Sequence, residues 1–189
     1  MNGENSKLLN PKSHGQLTAK VAREISPYWD ERGFYVLYDH DPADKNVGKI
    51  MSRFGESYGR RTQLSHVDIS IVEKNSDRVF ALIEIEETTN KPKTILGDVF
   101  GVLMGEHISF GKERPLLVNE QTILVVFVKS KVSHDERNQY IREKVEKVKP
   151  ELGTKNSAIR KVFIETFSDD GKLPESVSSL LDNEFKRQL

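Results

Sequence analysis

Two stretches, His66-Val67-Asp68-Ile69-Ser70-Ile71-Val72 and Val79-Phe80-Ala81-Leu82-Ile83-Glu84-Ile85-Glu86, decide how this chain folds. Each is β-branched or aromatic, of strand length, and the Glu73-Lys74-Asn75-Ser76-Asp77-Arg78 segment between them is rich in turn formers. The pattern predicts a β-hairpin. Strand residues alternate faces, so Phe80, Leu82, Glu84 and Glu86 are expected on one side, with Val79, Ala81, Ile83 and Ile85 on the other. By the same rule Val67, Ile69 and Ile71 oppose His66, Asp68 and Ser70. A turn centred on Ser76 sets Asp68 opposite Glu84 and His66 opposite Glu86, with facing Cβ atoms about 5 Å apart.

Working outward, Leu17, Val21, Ile25 and Trp29 recur at helical spacing and predict a helix from about Leu17 to about Trp29, interrupted near Pro27. Residues 1–15 read as a flexible tail and 16–189 as one domain. Phe34-Tyr35-Val36-Leu37-Tyr38 reads as a strand. Asn46 to Tyr58 reads as a short helix with Ile50, Met51 and Phe54 inward. After the hairpin, Thr94 to Ile108 carries Ile95, Leu96, Val99, Leu103 and Met104 at helical spacing, with Gly97, Gly101 and Gly105 on another stripe. Interior glycines each cost about 1 kcal/mol of helix propensity relative to alanine. Close approach of this helix to a sheet would explain them. Thr122 to Val128 is apolar without alternation, as expected of a strand covered on both faces at a sheet's centre. A helix from about His134 to Val148, a strand from about Lys161 to Phe167 and a helix from about Glu175 to Leu189 complete the chain. The expected class is α/β, a mixed β-sheet flanked by helices.

The 189 residues carry 29 Lys+Arg against 29 Asp+Glu, so no global field draws the chain onto nucleic acid. With no cysteine, a bound metal would be held by oxygen ligands or histidine, which favours Mg²⁺ or Mn²⁺ over zinc. No apolar run nears the roughly 20 residues of a membrane helix, and a cytoplasmic protein is expected.

Opposed acidic side chains destabilise a hairpin unless something offsets them. A divalent cation would do so, and it would also activate water against a phosphodiester. The plain alternative is a solvated acidic strand face.

These residues resemble the PD-(D/E)xK nuclease superfamily of restriction-endonuclease-like proteins. That family has an αβββαβ core, with an Asp near the start of the second strand and a (D/E)xK triplet on the third. The resemblance covers about Gln16 to Val128 and rests on Val67-Asp68 and Glu84-Ile85-Glu86. It implies that Asp68 and Glu84 ligate Mg²⁺ or Mn²⁺. It also implies a catalytic site of Asp68, Glu84 and Glu86. Glu86 stands where the motif has lysine, as in a minority of restriction endonucleases, where glutamate is thought to act as general base or further ligand. Otherwise the change marks a site that has lost activity. Val67 stands where the family's name writes proline. A lysine reaching in from the following loop, Lys91 or Lys93, is the alternative donor. Glu24 on the first helix and His66 are auxiliary candidates, each with a surface role as the plainer account.

Lys45, Lys49, Arg53, Arg60 and Arg61, interleaved with glycines and aromatics, suit phosphate contacts, Arg60-Arg61 foremost. The resemblance therefore implies a DNA endonuclease, a type II restriction enzyme being one form of it. Such an enzyme would act as a homodimer. The competing reading is a non-catalytic nucleic-acid-binding or assembly module that keeps the fold.

Overall fold

The structure is a computed structural model that describes residues 15–40, 47–54, 60–87, 92–111, 114–131, 136–152, 159 and 161–188. It is a mixed α/β fold. In chain order the elements begin with α1 (Gln16–Asp30), β1 (Phe34–Tyr38), β2 (Ile50–Arg53), a 3-10 turn (Arg60–Thr62), β3 (Gln63–Val67), β4 (Ile69–Glu73) and β5 (Val79–Glu86). They continue with α2 (Pro92–Leu103), β6 (His107–Phe110), β7 (Arg114–Leu116), β8 (Ile123–Lys129), α3 (Glu136–Leu152), β9 (Lys161–Phe167) and α4 (Leu173–Lys186). No described helix is long and apolar enough to cross a membrane.

The main sheet has the order β1-β4-β5-β8-β9. Its first three strands pair antiparallel and β5, β8 and β9 run parallel, so the sheet is mixed. Strand β8, wholly apolar from Ile123 to Val128, lies between two parallel neighbours and is buried on both faces. One face packs α1 and α4 through Val21, Ile25, Trp29, Val177 and Leu181 onto Ile69, Ile71, Ile83 and Val125. The other packs α2 and α3 through Ile95, Val99, Val102, Ile141 and Val145 onto Leu37, Leu82, Leu124 and Val126. Helix α1 runs unbroken through Pro27 to Asp30, with the Ser26 hydroxyl donating to the Ala22 carbonyl at 2.6 Å just before the proline.

A second, antiparallel sheet, β3-β2-β6-β7, departs from the expected order. Where a helix is expected at Asn46 to Tyr58, the described residues hold strand β2 at Ile50–Arg53 and no helical turn, and Phe54 is exposed rather than inward. All four β2 residues are buried, including Ser52 and Arg53, so polar side chains inside the core hide the strand's character in the sequence. The helix expected to reach Ile108 stops at Leu103, and His107 to Phe110 becomes β6 against β2.

The expected strand from His66 to Val72 divides at Asp68. His66 pairs with Met51 in the second sheet, not with Glu86, and only from Ile69 onward does the chain join β5. Accordingly Val67 packs on the α2 side while Ile69 and Ile71 face α1, although alternation assigns all three to one face. Strand β5 carries a second correction. Its register skips Phe80 between Ala81 and Val79, and this bulge turns Phe80 into the aromatic group around Trp29, 5.2 Å between ring centroids. Phe80 thus lies on the face opposite Glu84.

Helix α2 sits between the two sheets. A Cβ on Gly101 would lie 2.7 Å from the Ser65 Cβ, and one on Gly105 would lie 2.0 Å from the Ser52 hydroxyl oxygen. That hydroxyl donates to the Gly101 carbonyl at 2.7 Å. The glycines are therefore the side on which the second sheet approaches, except Gly97, which faces open space.

Candidate metal centre

The pairing of Ile69 with Ile83 and with Tyr38 fixes a row across three strands, and the next row holds Asp39, Asp68 and Glu84. The Asp39 amide donates to the Asp68 carbonyl at 3.2 Å, and the Asp68 carboxylate accepts from the Ile85 amide at 2.8 Å. Leu37 and Leu82, two residues from Asp39 and Glu84, both pack on the α2 side, so alternation points all three acids toward α2. Helix α2 adds Asp98, whose charge bears on both Asp68 and Glu84.

Burial governs the protonation of this group. It holds Glu84 well above the ordinary carboxylate range, reinforced by the charges of Asp68, Asp98 and Asp39. Burial likewise raises Asp68 to about 7, against the lowering effect of the Ile85 amide, with Asp39, Asp98 and Glu87 adding repulsion. Asp98 rises to about 6 through burial and the charge of Glu86. Asp39 also rises by burial, partly offset by its contact with His40. Among the described residues no Lys or Arg forms an ion pair with Asp68, Glu84 or Asp98. Glu84 is only 6% exposed, and its Oε1 finds no hydrogen-bond partner among the described residues. Burying carboxylates without a positive partner is costly, and backbone amides offset this only in part, so these acids suit a cation better than they suit one another.

No protein-family model, curated protein or solved structure matches this chain.

Glu86 ends β5 half-buried, beside Asp98 electrostatically. Glu24 is not brought to the acids. It lies on the exposed side of α1, on the other face of the sheet, and pairs with Lys20 at 3.9 Å. His66, half-buried on β3, has its pKa lowered first by burial and then by Lys49, while Asp39 opposes that shift. Lys93 is exposed on the first turn of α2, and Lys91 lies outside the described residues.

Of the basic group, Lys49 and Arg61 are exposed. Arg53 is not available to a phosphate: it is 3% exposed, and its guanidinium donates to the Ser109 hydroxyl at 3.1 Å and the Met51 sulfur at 3.1 Å. Arg60 begins the 3-10 turn, and Lys45 lies outside the described residues.

Sequence patterns alone do not point to Asp39, His40 or Asp98. The available signals were the Asp39-His40 pair directly after a strand and an acid beside the glycine stripe of the helix that follows Glu84-Ile85-Glu86.

Proposed function

We propose that this chain is a metal-dependent nuclease that hydrolyses DNA phosphodiester bonds, with a restriction-endonuclease-like core formed by α1, β1, β4, β5, α2 and β8. The observation that carries this reading is the buried, unpartnered Oε1 of Glu84 in one row with Asp68 and Asp39. The order of these elements, with antiparallel pairing up to β5 and parallel pairing from β5 to β8, agrees with the αβββαβ pattern, β2 and β3 being an insertion.

Asp68 and Glu84 would hold a Mg²⁺ or Mn²⁺ ion, both being oxygen donors of the kind these ions take. When bound, such an ion polarises a phosphoryl oxygen and acidifies a coordinated water. The Ile85 amide keeps the Asp68 carboxylate oriented, and half-buried Glu86 is the base that would take the proton of the attacking water. Lys49, exposed just before β2, and Arg61, exposed in the 3-10 turn before β3, would meet the DNA backbone.

Incubating supercoiled plasmid with the protein tests this directly. Nicked or linear DNA is expected with Mg²⁺ or Mn²⁺ and none with chelator. The glutamate at position 86, where the resembling family has lysine, favours a second reading, a DNA-binding or assembly module without catalysis. Retarded but uncut DNA in every metal would select it.

A further inference from the structure

We propose that Asp39, His40 and Asp68 share one cation beside the buried Glu84 carboxylate, and that the His40 imidazole makes this site select a first-row transition-metal ion over Mg²⁺. The inference rests on the metal-site reading above and names the ion that site takes. One ligand atom each from Asp39, His40 and Asp68 lie within 4.8 Å of one another, close enough to share a single cation. Independently of that group, the Glu84 carboxylate, 6% exposed and with Oε1 unpartnered among the described residues, adjoins Asp68 from the neighbouring strand.

The imidazole is held in position by the fold. Gly15, at the start of α1, has φ of 85° and no side chain, and a Cβ there would fall 2.1 Å from the His40 Cδ2. The ring therefore lies against the glycine backbone, and its Nδ1 contacts the Asp39 carboxylate. The Asp39 amide in turn donates to the Asp68 carbonyl at 3.2 Å, which keeps the adjacent His40 beside the row of acids. His40 is a third exposed by its side chain and Asp39 only 12%, so an ion would reach the site from the imidazole side.

The chemistry of the donors supplies the selectivity. Carboxylates suit Mg²⁺ and Mn²⁺ alike, whereas an imidazole nitrogen favours the transition-metal ion. Mg²⁺ also demands near-ideal octahedral geometry from oxygen and sheds its waters reluctantly. A mixed set of two carboxylates and one imidazole, with a further buried carboxylate beside it, therefore fits a first-row transition-metal ion better than Mg²⁺, and Mn²⁺ is the paramagnetic member that reports it.

The test is Mn²⁺ binding to the chelator-treated full chain, followed by electron paramagnetic resonance, with pulsed measurement of nitrogen hyperfine coupling to the bound ion. Nitrogen coupling is expected in the parent protein and in His66→Gln, and its loss in His40→Gln. The same variant is expected to lose about tenfold in Mn²⁺ affinity while Mg²⁺, measured by competition, changes less than about twofold. Absence of coupling in the parent, its persistence in His40→Gln, or equal loss of both metals would overturn the proposal. Should His40→Gln fail to fold, isotopic labelling of the histidine nitrogens in chains with each of the other four histidines replaced by Gln in turn isolates His40, and a coupling pattern unchanged by the label, or lost with another histidine, would overturn it. Nitrogen-coupled Mn²⁺ with intact plasmid would leave the ion site standing and sink the nuclease reading. Plasmid cut with Mg²⁺ and no nitrogen coupling would do the reverse.

Discussion

The Asp68 carboxylate accepts the backbone N–H of Ile85 at 2.8 Å, which pins it to β5 one residue beyond Glu84. The Asp68 amide in turn stabilises the Glu84 carboxylate, so two backbone amides serve the pair, and they do not neutralise it. Asp68 rises from 3.8 to about 7 despite the Ile85 hydrogen bond.

Stability of the metal-free protein should consequently fall as pH rises. A carboxyl whose folded pKa lies above its unfolded value favours the fold when protonated, so the penalty is absent below about pH 4 and complete above about pH 7. For Asp68 it amounts to a few kcal/mol at most, since each tenfold change in proton affinity is worth about 1.4 kcal/mol. Urea unfolding in chelator at pH 5 and pH 8 reads this, and Mn²⁺ should restore stability at pH 8. A higher urea midpoint at pH 8 than at pH 5 without metal would contradict the electrostatic account.

Asp68→Asn and Glu84→Gln should separate activity from stability. Each removes a charge that repels its neighbours, so in chelator at pH 8 each should unfold at an equal or higher urea concentration than the parent. On the proposed function each should also lower DNA cleavage by at least about a hundredfold, since both would remove a ligand of the proposed metal site. A variant that cleaves at the parental rate would remove its residue from the site.

Arg53 and Arg61 should behave oppositely although both belong to one basic stretch of sequence. Arg53→Ala leaves the buried Ser109 hydroxyl without its guanidinium donor and opens a cavity, and it should cost about 2–4 kcal/mol in urea unfolding. Arg61→Ala, at an exposed position, should change stability by less than about 0.5 kcal/mol. It should instead weaken DNA binding and reduce the slope of log K against log salt by about 1.

Alanine substitution should sort the α2 glycines. Gly97→Ala meets open space and should stabilise the helix by about 1 kcal/mol. Gly101→Ala brings a methyl to 2.7 Å from the Ser65 Cβ and should destabilise, because β3 would have to move. Thermal denaturation of the two variants side by side gives the signs. Destabilisation by Gly97→Ala would mean that the helix faces differently.

The strands Phe34–Tyr38, Val79–Glu86 and Lys161–Phe167 were legible to the residue, because each is a run of β-branched and aromatic side chains between turn formers. The apposition of Asp68 and Glu84 was legible too, since Ile69 pairs with Ile83, but the turn itself closes between Glu73 and Arg78, its centre half a residue before Ser76, and the bulge at Phe80 restores the register. What periodicity reports is the burial of one element, not which neighbour buries it. Val67 and Ile69 look like one alternating strand although they belong to different sheets, and β2 is disguised by buried Ser52 and Arg53.

The sequence by itself determined the α/β class, the positions of most strands and two of the acids. Only the tertiary structure decided that the chain changes sheets at Asp68, and that Phe80 turns away from Glu84 at a bulge. It alone also decided that Asp39, His40 and Asp98 join the site from elements far apart in the chain. Polar residues at strand ends have no periodicity of their own. They converge only when strand order and helix docking are fixed, and those depend on hydrogen bonds and packing between segments that no local pattern records.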